Sequence, residues 1–77
     1  MLRLENIKIT NEIAEADFYP EQETKPGHIV VNLQTEEIDS IVHVPGYEFM
    51  YPGHARETLV EMSNSNDKRT ERIIMWY

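Results

Sequence analysis

The chain has no cysteine, and its 77 residues include only three glycines, one tryptophan and seven basic side chains. Without cysteine there is no disulfide, no thiolate zinc site, no iron–sulfur cluster and no cysteine nucleophile. The few Lys and Arg residues face 14 acids, leaving a formal charge of −7. Non-specific affinity for nucleic acid is mostly phosphate neutralisation by basic side chains, so no nucleic-acid partner is expected. No apolar run approaches the roughly 18 residues of a membrane span, and no membrane partner is expected either. Polar residues interrupt every short window of Met1-Leu2-Arg3-Leu4-Glu5-Asn6-Ile7-Lys8, which lacks the apolar core of a signal peptide. A cytoplasmic protein is the expectation.

What is present, 40% hydrophobic and 27% charged positions, fits one small domain over residues 1–77. A domain of this size buries only about 60% of the surface its unfolded chain exposes, and its core supplies about 3–5 kcal/mol. With disulfides excluded, oligomerisation is the natural remaining support. The acidity is uneven. Residues 1–48 hold ten acids against Arg3, Lys8 and Lys25, whereas the four acids of residues 49–77 are balanced by Arg56, Lys68, Arg69 and Arg72.

Hydrophobic periodicity orders the elements. Leu2, Leu4, Ile7 and Ile9 alternate with a change of phase that one extra residue near Glu5-Asn6 would cause, which predicts a bulged strand. After a turn at Thr10-Asn11, Ala14, Ala16 and Phe18 form one face of a second strand that ends at Pro20, with Glu15 and Asp17 on the other. Residues 20–27 form a loop without apolar period. His28 to Gln34 reads as a third strand with Ile29, Val31 and Leu33 inward, and the turn 34–37 leads to a fourth at Ile38 to Val44, ended by Pro45-Gly46. A helical reading of residues 36–43, with Glu36-Glu37-Ile38-Asp39 as a plausible first turn, is the weaker alternative. Ala55, Leu59 and Met62 recur at helical spacing and predict a helix at about 53–64, stopped by Ser63-Asn64-Ser65-Asn66-Asp67. Thr70 to Tyr77 is apolar on both faces, the pattern of a strand inside a sheet or at an interface. The expected fold is therefore α+β: a small antiparallel sheet of about five strands, order β-β-β-β-α-β, with one helix on one face. A last strand inside that sheet would make removal of Met75-Trp76-Tyr77 unfold the domain.

Pro-Gly-His occurs at 26–28 and again at 52–54, but one copy leads into a strand and the other into a helix, so both are turn chemistry rather than a duplication. The segments Pro26-Gly27-His28-Ile29-Val30-Val31-Asn32-Leu33 and Tyr51-Pro52-Gly53-His54-Ala55-Arg56, with the closing Met75-Trp76-Tyr77, resemble small uncharacterised bacterial proteins of about this length. The resemblance covers about a third of the chain. It implies a bacterial cytoplasmic setting and brings no activity.

Four groups of residues carry candidate chemistry. The helix start at Gly53, His54 and Arg56 offers free amides, an imidazole and a guanidinium, a combination that suits a carboxylate or phosphate, although its spacing is not that of a P-loop. Its plain reading is an ordinary first turn, with Arg56 paired to Glu57 on the surface. His28, His43 and His54 with Asp17 or Glu48 are ligand types, but no two of these histidines stand at ligand spacing, so no metal and no cofactor are expected. Ser40, Ser63 and Ser65 lie outside any nucleophile elbow, and the acids Glu12, Glu15, Asp17, Glu21 and Glu23 read as a solvated strip or a docking face for a basic partner. Tyr47, Phe49, Tyr51, Met75, Trp76 and Tyr77 lie in two short segments that the fold could unite as an interface.

The sequence thus points to a small acidic, non-enzymatic interaction module, a homo-oligomer or the binder of a protein partner. A small-ligand or anion binder, or even a hydrolase, at Gly53-His54-Arg56 is the alternative.

Overall fold

The fold, seen in a computed structural model that describes residues 1–76, is a five-stranded antiparallel sheet with one helix packed on one face. The strands are β1 (Leu2–Ile9), β2 (Ile13–Pro20), β3 (Gly27–Asn32), β4 (Ile38–Val42) and β5 (Arg72–Ile74), and the helix α1 (Tyr51–Asn64) lies between β4 and β5. Their order in the sheet is β4-β3-β2-β1-β5. The first four strands form a meander, and α1 then carries the chain across β3, β2 and β1 to the opposite edge.

Alternation decides which residues meet the helix. Leu2 and Leu4 of β1, Ala14, Ala16 and Phe18 of β2, and Ile29 and Val31 of β3 are fully buried on one face. The helix answers with Ala55, Leu59 and Met62, also fully buried. The phase change in β1 is a bulge: the register with β2 shifts between Glu5 and Lys8, and Asn6 takes a left-handed φ of 53°. The bulge returns Ile7 to the core face and leaves Asn6 exposed.

Side chains reinforce the turns that the backbone closes. Thr10 Oγ1 accepts the amides of Glu12 and Ile13 at 3.2 and 3.1 Å, and Asn32 Oδ1 accepts those of Gln34 and Thr35 at 2.8 and 3.0 Å. Val44-Pro45-Gly46-Tyr47 has the pattern of a type II turn, with proline second, Gly46 at φ 89° and the Tyr47 amide bonded to the Val44 carbonyl at 3.0 Å. At the end of α1, Asn66 adopts φ 56° while the Asp67 amide reaches the Met62 carbonyl and the Asn66 amide that of Ser63. This is a Schellman stop made with asparagine in place of glycine.

Some sequence-based boundaries need correction. The helix begins at Tyr51 rather than 53, because Pro52, which has no amide hydrogen to place, is well suited to a first turn. The third strand ends at Asn32 and the fourth at Val42, each two residues early, as the Asn32 turn and the Pro45-Gly46 turn draw the chain away. The last strand differs most. It is three residues long and lies at the edge of the sheet beside β1, so it is not a central strand, and Ile73 is exposed rather than buried on a second side. With β5 at the edge, unfolding on removal of Met75-Trp76-Tyr77 is no longer expected from a central position in the sheet. Tyr77 lies outside the described residues.

Candidate functional site

The two aromatic segments meet. Tyr47, from the loop before the helix, packs edge-on against Tyr51 of its first turn, with ring centroids 5.2 Å apart and planes at 87°. Tyr51 packs in turn against Trp76 at 5.3 Å and 65°. The other side of this cluster is set by His54, one helical turn along from Tyr51, which stacks on Trp76 at 4.1 Å and 17°. All four rings are half-buried. Phe49 and Met75, in the same two segments, are instead 83% and 63% exposed, and Met50 is exposed beside Phe49.

Carboxylates border these rings. The Tyr51 hydroxyl donates to Glu21 Oε2 at 2.6 Å, and the Met1 amino group donates to the same oxygen at 2.8 Å. Those two donors, the amino group first, hold Glu21 below the ordinary carboxylate range. The Tyr51 hydroxyl is pushed up to about 12, chiefly by its bond to Glu21. Tyr47 is raised as well, by partial burial and then by the neighbouring Glu23 carboxylate. Neither acid could be matched to a ring from the sequence, where Glu21 and Tyr51 stand 30 positions apart.

The helix-start residues Gly53, His54 and Arg56 are not gathered into one site. The Tyr51 amide is used by the Phe49 carbonyl and the His54 amide by Met50, and Pro52 has none, so Gly53 alone retains a free amide among the first four helical residues described. His54 faces Trp76. Arg56 reaches away to the Glu36 carbonyl at 3.2 Å, tying the helix to the β3–β4 turn, where Glu36 holds φ 64°, and not to Glu57.

A polar network occupies the opposite, helix-free face of the sheet. Cross-strand register sets Asp17 of β2 opposite His28 of β3. His28 Nδ1 lies 2.7 Å from Asp17 Oδ1 and its Nε2 3.2 Å from Glu15 Oε2, while Asn6, turned outward by the bulge, donates to Asp17 Oδ2 at 2.9 Å. The acids Glu15, Asp17 and Glu21 are thus partnered rather than a plain solvated strip, and the partners come from distant segments. The two carboxylates take opposite ring nitrogens of His28, so they do not converge on one point. His43 is exposed after β4 and His54 belongs to the helix layer, so the three histidines stay apart. Among the described residues no group of three His, Cys, Asp or Glu side chains could hold a metal ion.

The network predicts a pH dependence of stability. His28 is raised above 6.5, first by its bond to Asp17 and also by Glu15, and Asp17 is lowered below 3.8, first by His28 and then by Asn6. A raised histidine contributes stability that is complete below pH about 6.5 and fades as pH climbs through the folded-state value; a lowered aspartate contributes above about 3.8 and fades as pH falls through its own. His28 is 40% exposed, so solvent screening limits the effect to about 0.2–1 kcal/mol. Thermal midpoints measured from pH 5 to about 9 should decline on the alkaline side in the native chain, and His28→Gln should flatten that limb. An alkaline limb unchanged by His28→Gln would contradict the network.

A cavity of about 130 Å³ opens where the end of α1 meets β1, floored by Ile7, Ile9 and Met62 and rimmed by Asp67, Lys68 and Arg69. Its arginine is committed: Arg69 donates to Asp67 at 2.6 to 3.1 Å and drives that acid down to about 2. No helix is long and apolar enough to cross a membrane among the described residues. No family model, curated protein or solved structure matches the chain.

Proposed function

We propose that this protein is a small acidic, non-enzymatic interaction module that self-associates through the free edge of β5. The contrast between its two sheet edges carries the reading. An open edge offers unpaired backbone groups to another strand, and proteins that stay apart guard such edges with charge, proline or a bulge. β4 is guarded: its register with β3 is irregular at Val30/Val31, and Asp39 projects from it exposed. β4 also exposes Val42, at 62%, but along with the polar Ser40 and Asp39. β5 is three residues long and includes the half-buried Arg72, yet it has neither a bulge nor a proline, and its Ile73, 61% exposed, is continued by Met75, 63% exposed. Phe49 and Met50, just before Tyr51 in the chain, add exposed apolar surface.

Charge favours a second copy as the occupant. The excess acid lies in residues 1–48, whereas residues 49–77 are balanced, so two β5 edges meet without the repulsion that the rest of the surface would impose. Antiparallel β5–β5 pairing about a two-fold axis is self-complementary and closes at a dimer. The non-enzymatic part of the reading is supported by His28, whose two ring nitrogens are both engaged by carboxylates.

Sedimentation equilibrium tests this. A reversible dimer is expected for the native chain, and Ile73→Lys, a change at an exposed position, should give a folded monomer. A native chain that remains monomeric up to about millimolar concentration, or an Ile73→Lys dimer of unchanged affinity, would overturn the proposal.

A further inference from the structure

We propose that the corner formed by Tyr47, Tyr51 and Trp76 with Glu21 and Glu23 is a binding site for a methylated ammonium group. The inference goes beyond the self-association reading and uses different residues. Three segments far apart in sequence deliver these groups: the β2–β3 loop, the stretch from Tyr47 into α1, and the residue that follows Met75. The three rings stand at steep angles, 87° and 65° between neighbours, while His54 lies nearly flat on one face of Trp76 at 4.1 Å and 17°, so a cation would meet the ring faces that these contacts leave uncovered. Cations are attracted to the negative face of an aromatic ring, and Trp and Tyr are the strongest platforms.

The carboxylates sharpen this chemistry in two ways. Glu21 accepts a 2.6 Å hydrogen bond from the Tyr51 hydroxyl, which polarises the phenol, pushes electron density into its ring and strengthens the face a cation would meet. Glu21 is ion-paired through Oε2 with the Met1 amino group at 2.8 Å, and among the described residues no hydrogen bond reaches Oε1, so a methylated cation would share this carboxylate with Met1 and meet it through charge alone. Methylation suits the ligand to this site. A bare ammonium is held by hydrogen bonds to water, whereas methyl groups spread the charge over an apolar surface that half-buried rings can desolvate. The shared chemistry can arrive as a free quaternary amine or as a trimethylated lysine side chain.

Trp76 is the chain's only tryptophan, so its emission reports on the corner directly. Choline is titrated against the native chain at constant ionic strength, with 3,3-dimethyl-1-butanol as the neutral isostere and sodium chloride as the salt control. Saturable change with choline, and binding of the isostere at least about tenfold weaker, is the expected result; tenfold corresponds to about 1.4 kcal/mol. A short peptide carrying trimethyllysine, compared with its unmodified form, separates the two sources: tighter binding than choline assigns the site to a side chain, equal binding to the free cation.

Glu21→Gln, at a loop surface, should weaken choline binding several-fold while the thermal transition stays cooperative. Tyr47→Leu should abolish it, followed by the choline methyl resonance as well as by Trp76 emission. Equal response to choline and to its neutral isostere would reduce the corner to an apolar patch and overturn the proposal, as would the absence of any saturable response. The dimer contact bears on neither result, because Ile73→Lys leaves all five groups in place and should bind choline as the native chain does.

Discussion

Phe18→Ala is expected to abolish the cooperative thermal transition. Phe18 is the largest fully buried side chain of the domain, set on the central strand β2 and paired across the sheet with Leu4 and Gly27. Removing a buried phenylalanine costs about 3–5 kcal/mol, and a single core in a chain of this length supplies about the same. The two same-face residues before it on β2, Ala14 and Ala16, have no bulk with which to refill the space. Circular dichroism against temperature decides it: a sigmoidal melt within a few degrees of the native one would mean that the core rests elsewhere.

Gly27→Ala should come close to that effect from the opposite cause. A Cβ at Gly27 would fall on the Phe18 ring, 2.6 Å from its Cε1, and on the carbonyl oxygen of Val42. Phe18 is itself wedged in the core, and the Val42 oxygen is backbone of β4, so neither can yield cheaply. Overpacking of this kind costs about 1–3 kcal/mol and sometimes more. The reason is space rather than backbone freedom, since Gly46 and not Gly27 holds the positive φ. The urea midpoint should fall, and adding Phe18→Leu should recover part of the loss, because the two changes share one contact. An unchanged midpoint would show that β3 and β4 do not approach as described.

The meander was legible because its residues state it locally. Leu2 and Leu4 against Ile7 and Ile9 declare a bulge by their change of phase, and Ala55, Leu59 and Met62 declare a helix face. The position of β5 was not legible. Ile73 and Ile74 present apolar groups to both sides, and such a run has the same pattern whether a sheet covers both faces or whether one face waits at an edge. Only pairing to β1 alone distinguishes the two.

The candidate sites follow the same division. Tyr47, Tyr51 and Trp76 could be picked out as a potential cluster, since aromatic residues are few, but their acidic border could not. Glu21 reads as loop and acquires its meaning only when the helix start lands beside it. His28 likewise looks like an ordinary strand residue until the register of β2 and β3 places it between Asp17 and Glu15. Long-range register and crossover, which no local pattern specifies, decide these meetings.

Self-association through β5 can be read at the contact itself by isotope-filtered NOE spectroscopy on an equal mixture of labelled and unlabelled chains. Intermolecular contacts should centre on Ile73 and extend to Met75, with none at Val42 on the far edge. A spectrum of the concentrated mixture without intermolecular contacts, or with contacts that centre on β4, would contradict it.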